Sequence, residues 1–205
     1  MLTIHFIRHA ESEGNVQKHL IGGQQNHLDI TPKGEEQAKK LQQFLLQKRL
    51  VPNHIIVSEA LRARRTAEIA TNHLDIKHKI DSRIVEISNG ELEGKPREEF
   101  YTPELLAQKE EQGTNWKAPG GENIQEVTRR SQEALQEILA LYTEGEEQHV
   151  FWFGHGLAIR AIVWDVLNAP EMIFRSDKHN TARTVLVYDN NSWHLERFND
   201  TQHLN

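Results

Sequence analysis

The chain has 205 residues, a formal net charge of −6 and no cysteine. Broad nucleic-acid binding needs a basic face, which this charge balance argues against, and a chain without cysteine forms neither disulfides nor thiolate sites. No amino-terminal signal sequence, long apolar span or Pro/Gly/Ser-rich linker is visible. We therefore expect one domain over residues 1–205 in a cytoplasmic protein that does not bind membranes; a homodimer is compatible with this composition.

The first predicted element is a short apolar strand that delivers Arg8 and His9 to its carboxyl end, with Ser12 and Asn15 in the following loop. Open α/β sheets bind ligands at the carboxyl ends of their strands. Arginine is a permanent forked cation suited to phosphate, and histidine can be a neutral nucleophile near physiological pH. The junction predicts phosphoryl chemistry on an imidazole, with Ser12 and Asn15 as substrate-binding residues.

Two helices are predicted in the next part of the chain. One opens at Thr31-Pro32, and the other follows the β-branched run 55–57, with Ser58 as its start signal. Arg62 then lies near the first turn of the second helix, where free N–H groups and the helix dipole favour anions. We predict that Arg62 is a second phosphate ligand.

Residues 88–120 interrupt the alternation of strands and helices, because glycines and prolines surround a charged middle. We predict that this segment is an insertion that folds over the site as a lid and selects the substrate. Another helix is predicted from Glu122 onward. Its apolar face contains Ile124, Val127, Ala134, Leu135, Ile138 and Leu141.

A buried strand is predicted at 150–153, followed by Gly154-His155-Gly156 and an apolar helix. Glycines on both sides of the histidine allow a tight turn and a close approach of the backbone to a ligand. The pattern therefore predicts that His155 lies at the same sheet edge as His9 and that Gly156 contacts the substrate.

The runs 184–188 and 193–198, separated by the polar residues 189–192, predict a late hairpin. Earlier strands alternate with helices along the chain. The predicted fold class is therefore α/β, a three-layer α/β/α sandwich around a mostly parallel sheet with at least one antiparallel strand.

Several segments, taken in order, resemble the histidine phosphatase superfamily, the phosphoglycerate mutase-like enzymes. They are residues 8–15, 30–38, 58–67, 86–94, 119–123 and 154–156. The resemblance implies that His9 attacks phosphorus, that Glu86 donates a proton, and that Arg8, Arg62 and His155 hold the phosphoryl group. An ordinary glutamate titrates near ~4.3, so the pKa of the proton donor would have to be raised by burial or by nearby negative charge.

Three functions are compatible with these residues. The leading one is a metal-independent phosphomonoester hydrolase of the phosphatase branch, which acts through a phosphohistidine on a small phosphorylated metabolite. The alternative is a cofactor-dependent phosphoglycerate mutase, but residues 86–91 do not resemble the Arg-His-Tyr-Gly run that follows the acid in such mutases. The third is a non-catalytic phosphate-binding module, which has no need for a nucleophile and an acid together. We predict neither a metal site nor a bound cofactor.

Overall fold

The computed structural model describes residues 1–143, 145–177 and 179–205. Within these residues six strands form one sheet between two layers of helices. The strands are β1 (Leu2–Arg8), β2 (His54–Ser58), β3 (His78–Asp81), β4 (Gln148–Gly154), β5 (Arg183–Asp189) and β6 (Ser192–Asp200). The helices are α1 (Glu13–Val16), α2 (Pro32–Gln47), α3 (Leu61–Thr71), α4 (Arg97–Phe100), α5 (Pro103–Gln112), α6 (Ile124–Leu141) and α7 (Gly156–Val166). None of the described helices is both long and apolar enough to cross a lipid bilayer.

The strand order across the sheet is β3-β2-β4-β1-β5-β6. Strands β1, β2, β3 and β4 are parallel, whereas β5 is antiparallel to both of its neighbours, β1 and β6. The predicted three-layer sandwich with a mostly parallel sheet and an antiparallel strand is therefore confirmed. The parallel part brings the carboxyl ends of β1, β2 and β4 to one edge of the sheet.

Alternate residues of β1 face opposite helical layers, as the pleat of a strand requires. Ile4 and Phe6 belong to one buried cluster with Ile138 of α6, whereas Ile7 belongs to a second cluster with Ala67 of α3. Both faces of this central strand are buried, which explains why apolar residues occur on both of them. The end of β1 is thus held firmly from both sides.

The structure confirms the predicted start of α2 and corrects the predicted start of α3. Helix α2 begins at Pro32, and the Thr31 side chain accepts a hydrogen bond from the Gly34 N–H at 3.1 Å. Helix α3 begins at Leu61 instead of near Ser58, because Ser58 is still the last residue of β2. Its hydroxyl is used elsewhere, as described below.

Helix α6 begins two residues later than predicted, at Ile124, with Asn123 as its amino-terminal cap. The Asn123 side chain accepts a hydrogen bond from the Glu126 N–H at 2.8 Å. Most of the predicted apolar face is buried, but Leu141 at the carboxyl end is exposed. Glu122, which was predicted to open this helix, lies before it and makes other contacts.

The predicted hairpin is confirmed, with strands slightly longer than expected. Asn190 and Asn191 connect β5 to β6, and both have positive φ angles, 48° and 58°. Two consecutive left-handed residues match the right-handed twist of a hairpin, and asparagine tolerates that conformation better than most residues.

The insertion, residues 88–120, begins and ends at the same point of the fold. The Glu122 N–H donates to the Ser88 carbonyl at 2.8 Å, and the Ser88 N–H donates to Glu122 Oε2 at 3.0 Å. Between these points the insertion contains α4, α5 and two 3₁₀ turns, and its Leu92 and Trp116 pack in a small cluster with Ile21. We call the Ser88–Glu122 pair the base of the insertion.

Candidate active site

A cavity of about 590 Å³ opens at the edge of the sheet where β1 ends. The predicted site residues that line this cavity are Arg8, His9, Ser12, Asn15, Arg62 and Glu86. They come from the end of β1, the loop and helix that follow it, the first turn of α3 and the segment before the insertion. Three distant parts of the sequence, near residues 8–15, 62 and 86, therefore supply one cavity.

His9 is held in one tautomer by its own loop. Its Nδ1 lies 2.7 Å from the Ala10 carbonyl oxygen, which can only accept, so Nδ1 carries the proton. In a neutral ring Nε2 then has a free lone pair. The backbone is fixed as well, because the His9 N–H donates to the Gly154 carbonyl at 2.9 Å and the Ala10 N–H to Thr66 Oγ1 at 2.9 Å.

His155 lies directly behind His9 and Arg62. The centroids of the two imidazole rings are 5.2 Å apart, and the His155 ring is completely buried. Its Nδ1 lies 3.3 Å from Arg62 Nη2, and since a guanidinium only donates, Nδ1 accepts. Its Nε2 therefore carries the proton and donates to Ser58 Oγ at 2.8 Å. This is the role of the hydroxyl that was predicted to start α3.

Both imidazoles are neutral at physiological pH. Burial, followed by the positive charges of Arg8 and Arg62, lowers the pKa of His9 well below its usual value. Burial and Arg62 do the same to the pKa of His155. A neutral His9 is ready to act as a nucleophile, and a neutral His155 contributes hydrogen bonds to the site instead of charge.

The positive charge that acts on His9 comes from Arg8 and Arg62. Burial lowers the pKa of Arg8 to about 10, against the opposing effect of Glu86, so Arg8 stays charged at neutral pH. The Arg62 guanidinium is nearly buried and donates to the Gln25 carbonyl at 3.0 Å and to the Gly23 carbonyl at 3.3 Å. These contacts aim one fixed cation into the cavity, and no carboxylate of the described residues lies within hydrogen-bond distance of it.

The amide of Asn15 is oriented for a ligand. Its Oδ1 accepts from the Ser12 N–H at 3.2 Å and from Asn180 Nδ2 at 2.9 Å. Asn180 also donates to the His9 carbonyl at 3.1 Å. Because the oxygen is occupied, the NH₂ group of Asn15 is left to donate into the cavity, as a phosphoryl oxygen would require.

Glu86 lies beside the amino terminus of α7. One carboxylate oxygen accepts from the Ile87 N–H at 3.0 Å and the other from the Leu157 N–H at 3.2 Å. These two contacts fix the carboxylate at the cavity wall. Burial lowers the pKa values of Arg8 and Arg62, and the charge of Glu86 partly opposes that lowering.

Arg130 fixes the backbone of the Glu86 segment. It donates to the carbonyls of Arg83, Val85 and Glu86 at 2.7, 2.8 and 3.0 Å. It also forms a two-pronged contact with Glu122, at 2.8 and 2.9 Å. The base of the insertion and the segment that carries Glu86 are thereby joined to helix α6.

The structure brings six of the predicted site residues to the cavity and places the other two next to it. His155 is too deeply buried to line the cavity and contacts Arg62 instead. Gly156 is the first residue of α7 and lines a small separate hollow beside Arg8. Its neighbour Leu157 lines the main cavity, so the residue that reaches this cavity from the start of α7 is Leu157 and not Gly156.

Three residues that support the site were missed from the sequence: Thr66, Arg130 and Asn180. Arg130 lies in a helix full of charged residues, and Asn180 precedes the predicted hairpin, so neither has a pattern that separates it from surface residues. Thr66 follows Arg62 by one helical turn, and its hydroxyl donates to the Arg62 carbonyl at 2.6 Å. The spacing of one helical turn between Arg62 and Thr66 was the one feature of the sequence that could have indicated this contact.

A glycine in α2 supports the loop that follows His9. Any β-carbon at Gly34 would clash with the carbonyl oxygen of Glu11. The same carbonyl accepts a hydrogen bond from the Thr31 N–H at 2.9 Å. The predicted helix entry at Thr31-Pro32 therefore packs directly against the active-site loop.

No group of three or more His, Asp or Glu side chains that could hold a metal ion occurs within residues 1–143, 145–177 and 179–205. Next to His9 the cavity offers a ligand a neutral imidazole nitrogen, the guanidinium groups of Arg8 and Arg62, an amide and a carboxylate. This set matches a phosphoryl group next to an oxygen that needs a proton.

Comparison with known proteins also indicates phosphoryl chemistry. A model of the histidine phosphatase superfamily, branch 1, matches residues 4–201. The probable phosphoglycerate mutase GpmB of Salmonella paratyphi C (strain RKS4594) is 29% identical over 94% of this chain and 88% of that protein.

Solved structures share the fold over nearly the whole chain. YhfR of Bacillus stearothermophilus is 27% identical with a TM-score of 0.85 and full coverage of both chains. A variant of phosphoserine phosphatase from Entamoeba histolytica, solved in complex with phosphoserine, has 23% identity, a TM-score of 0.84 and full coverage of both chains. A mycobacterial glucosyl-3-phosphoglycerate phosphatase has 22% identity and a TM-score of 0.83, covering 96% of this chain and 98% of its own.

Proposed function

Because the chain belongs to the histidine phosphatase superfamily, as a phosphatase-like or mutase-like enzyme, we propose that it hydrolyses small phosphomonoesters through a phosphohistidine on His9. The observation that carries this proposal is the His9 ring. Its Nδ1 is engaged by the Ala10 carbonyl, its pKa is far below the usual value, and it lines a cavity together with Arg8 and Arg62. A neutral imidazole with a free nitrogen beside two cations is suited to attack on phosphorus.

In the first step, His9 Nε2 forms a bond to phosphorus while the bond from phosphorus to the ester oxygen breaks. The transition state spreads charge over the peripheral phosphoryl oxygens, which Arg8, Arg62 and the Asn15 amide stabilise. Glu86, in its protonated form, gives its proton to the departing alkoxide, which leaves as an alcohol.

In the second step, water attacks the phosphohistidine. The Glu86 carboxylate accepts a proton from that water, the bond between phosphorus and nitrogen breaks, and inorganic phosphate leaves. His9 returns to its neutral form. His155 acts by orienting Arg62 through the hydrogen bond at its Nδ1.

The insertion, residues 88–120, selects the alcohol part of the substrate in this proposal. Arg97, Tyr101, Lys109 and Trp116 from the insertion line the same cavity as His9. The groups that handle the phosphoryl oxygens come from other parts of the chain. In this proposal, the residues that carry out the reaction and the residues that select the substrate therefore lie in different segments.

A phosphoglycerate mutase is the second candidate, and the name of the Salmonella relative supports it. It would use the same residues but return the phosphoryl group to the bound substrate. The test is incubation with p-nitrophenyl phosphate and with 3-phosphoglycerate in the presence of a chelator. Release of phosphate supports the hydrolase, isomerisation to 2-phosphoglycerate supports the mutase, and inactivity on both refutes catalysis on these substrates.

Replacing the proposed acid should affect substrates according to their leaving groups. Glu86→Gln should slow glycerol phosphate hydrolysis about 100-fold or more and p-nitrophenyl phosphate hydrolysis less than about tenfold, because p-nitrophenolate leaves without protonation. Steady-state kcat/KM values for both esters measure the difference. Glu91→Gln, an exposed glutamate in the same region, is the matched control and should keep wild-type rates. Equal losses on both esters would remove Glu86 from the acid role.

A further inference from the structure

The cavity extends beyond the groups needed for a phosphoryl group. At about 590 Å³ it is much larger than that group requires, and its far wall comes from the insertion. Two cations from this wall, Arg97 at the start of α4 and Lys109 near the end of α5, line the cavity. None of the phosphoryl chemistry described above uses them.

These two cations are arranged around aromatic rings. Lys109 Nζ lies 4.5 Å from the centroid of the Trp116 ring and 5.4 Å from that of Tyr101. Arg97 Cζ lies 5.5 Å from the same Tyr101 ring. Trp116 is itself almost fully buried. The rings therefore hold both cations toward the cavity.

Neither of these cations has an acidic partner in the part of the chain that the structure describes. Arg97 and Lys109 form no ion pair within 4.0 Å there, although the chain contains 30 acidic residues. Lys117, from the same insertion, does have a partner, since its Nζ lies 3.0 Å from Glu126. Burial and the nearby charge of Arg97 lower the pKa of Lys109. Two like charges at one cavity wall are unfavourable until an anion enters between them.

We propose that Arg97 and Lys109 form a subsite for a second anionic group, a carboxylate or a second phosphate, on the phosphomonoester substrate. This proposal rests on the proposed function, because the first phosphoryl group must lie at His9. The substrate then spans the cavity, with its scissile phosphate beside Arg8 and Arg62 and its second anion on the insertion. The cations also supply local positive charge on an otherwise acidic protein.

Matched pairs of compounds test this subsite. 3-Phosphoglycerate and glycerol 3-phosphate differ by a carboxylate, and 1,3-propanediol bisphosphate and its monophosphate differ by a phosphate. We expect the wild-type protein to turn over the doubly anionic member of at least one pair about tenfold more efficiently, as kcat/KM. The pair that shows the preference identifies the second anion. In Arg97→Gln and Lys109→Gln the ratio should fall toward one.

Lys95→Gln is the matched control, because it removes a cation from the same insertion that does not line the cavity. It should keep the wild-type ratio. The subsite is refuted if both pairs give ratios near one in the wild type, or if neither Arg97→Gln nor Lys109→Gln changes the preference.

Binding measurements separate this result from a failure of the proposed function. Calorimetric titration of His9→Ala with the same pairs measures affinity without turnover, and it should show the same preference for the doubly anionic member. Inactivity of the wild type on every ester would reject the hydrolase, whereas equal affinities within both pairs would reject the subsite.

Discussion

His9→Ala is expected to lower the rate of phosphate release by at least about 10⁴-fold, because the variant lacks the imidazole nitrogen that forms the bond to phosphorus in the proposed mechanism. Steady-state hydrolysis of p-nitrophenyl phosphate measures this loss. Brief incubation with a phosphorylated substrate, followed by acid quench and mass spectrometry, should detect an acid-labile phosphoryl group on the wild-type chain and none on the variant. The hydrolysis rate and the labile phosphoryl group both depend on the proposed bond between His9 and phosphorus.

The matched control for this substitution is His54→Ala. His54 is exposed at the beginning of β2, at the opposite end of that strand from Ser58. This variant should keep the wild-type rate and the labile phosphoryl group. Circular dichroism at 20 °C should show both variants folded. A folded His9→Ala protein with a near-normal rate would contradict the mechanism.

The protein is expected to lose stability steeply as the pH falls below 6.5. Burial, followed by the charges of Arg183 and His149, lowers the pKa of His5 to about 3, and burial lowers the pKa of His203 to about 4. The pKa values of His9 and His155 are also depressed. The unfolded chain therefore binds more protons than the native protein, and the stability is lost between the unfolded and the native pKa values.

The size of this effect follows from the linkage between protonation and folding. Between pH 7 and pH 5, His5 alone should reduce the free energy of unfolding by about 2 kcal/mol, and the other buried histidines act in the same direction. Urea denaturation at pH 7, 6 and 5 measures the change. His5→Phe, which cannot titrate, should show a shallower pH dependence.

His54→Gln is again the control, since it replaces an exposed histidine of the sheet. Its unfolding free energy should follow the wild-type curve. A wild-type protein that is equally stable at pH 7 and pH 5 would show that the buried histidines are not neutral in the native state.

The sequence predicted the fold class and most of the cavity because these depend on local patterns. Strand β1 is a short, mostly apolar run that ends at Arg8, so its position and its end are visible in the sequence. Arg62 lies in the first turn of a helix that follows a strand, so its position at the carboxyl edge of the sheet can be predicted. The catalytic roles of these residues remain predictions, but their convergence is observed.

What could not be predicted depends on distant hydrogen bonds. Ser58 has the composition of a helix cap, yet its hydroxyl contacts His155, a residue 97 positions later. Arg130 resembles any solvated helical charge until its three carbonyl partners are seen. His155 has the flanking glycines of a ligand contact, but tertiary packing buries the ring behind Arg62.

The base of the insertion has a consequence for how such a protein can change. Because the 88–120 segment departs and returns through Ser88 and Glu122, its internal length is not transmitted to the sheet. Arg130 anchors Glu86 to α6 on the framework side of that junction. A replacement segment of different size could therefore be grafted between these two residues if it keeps the packing of Leu92 and Trp116 against Ile21, and the same chemistry would then act on other metabolites.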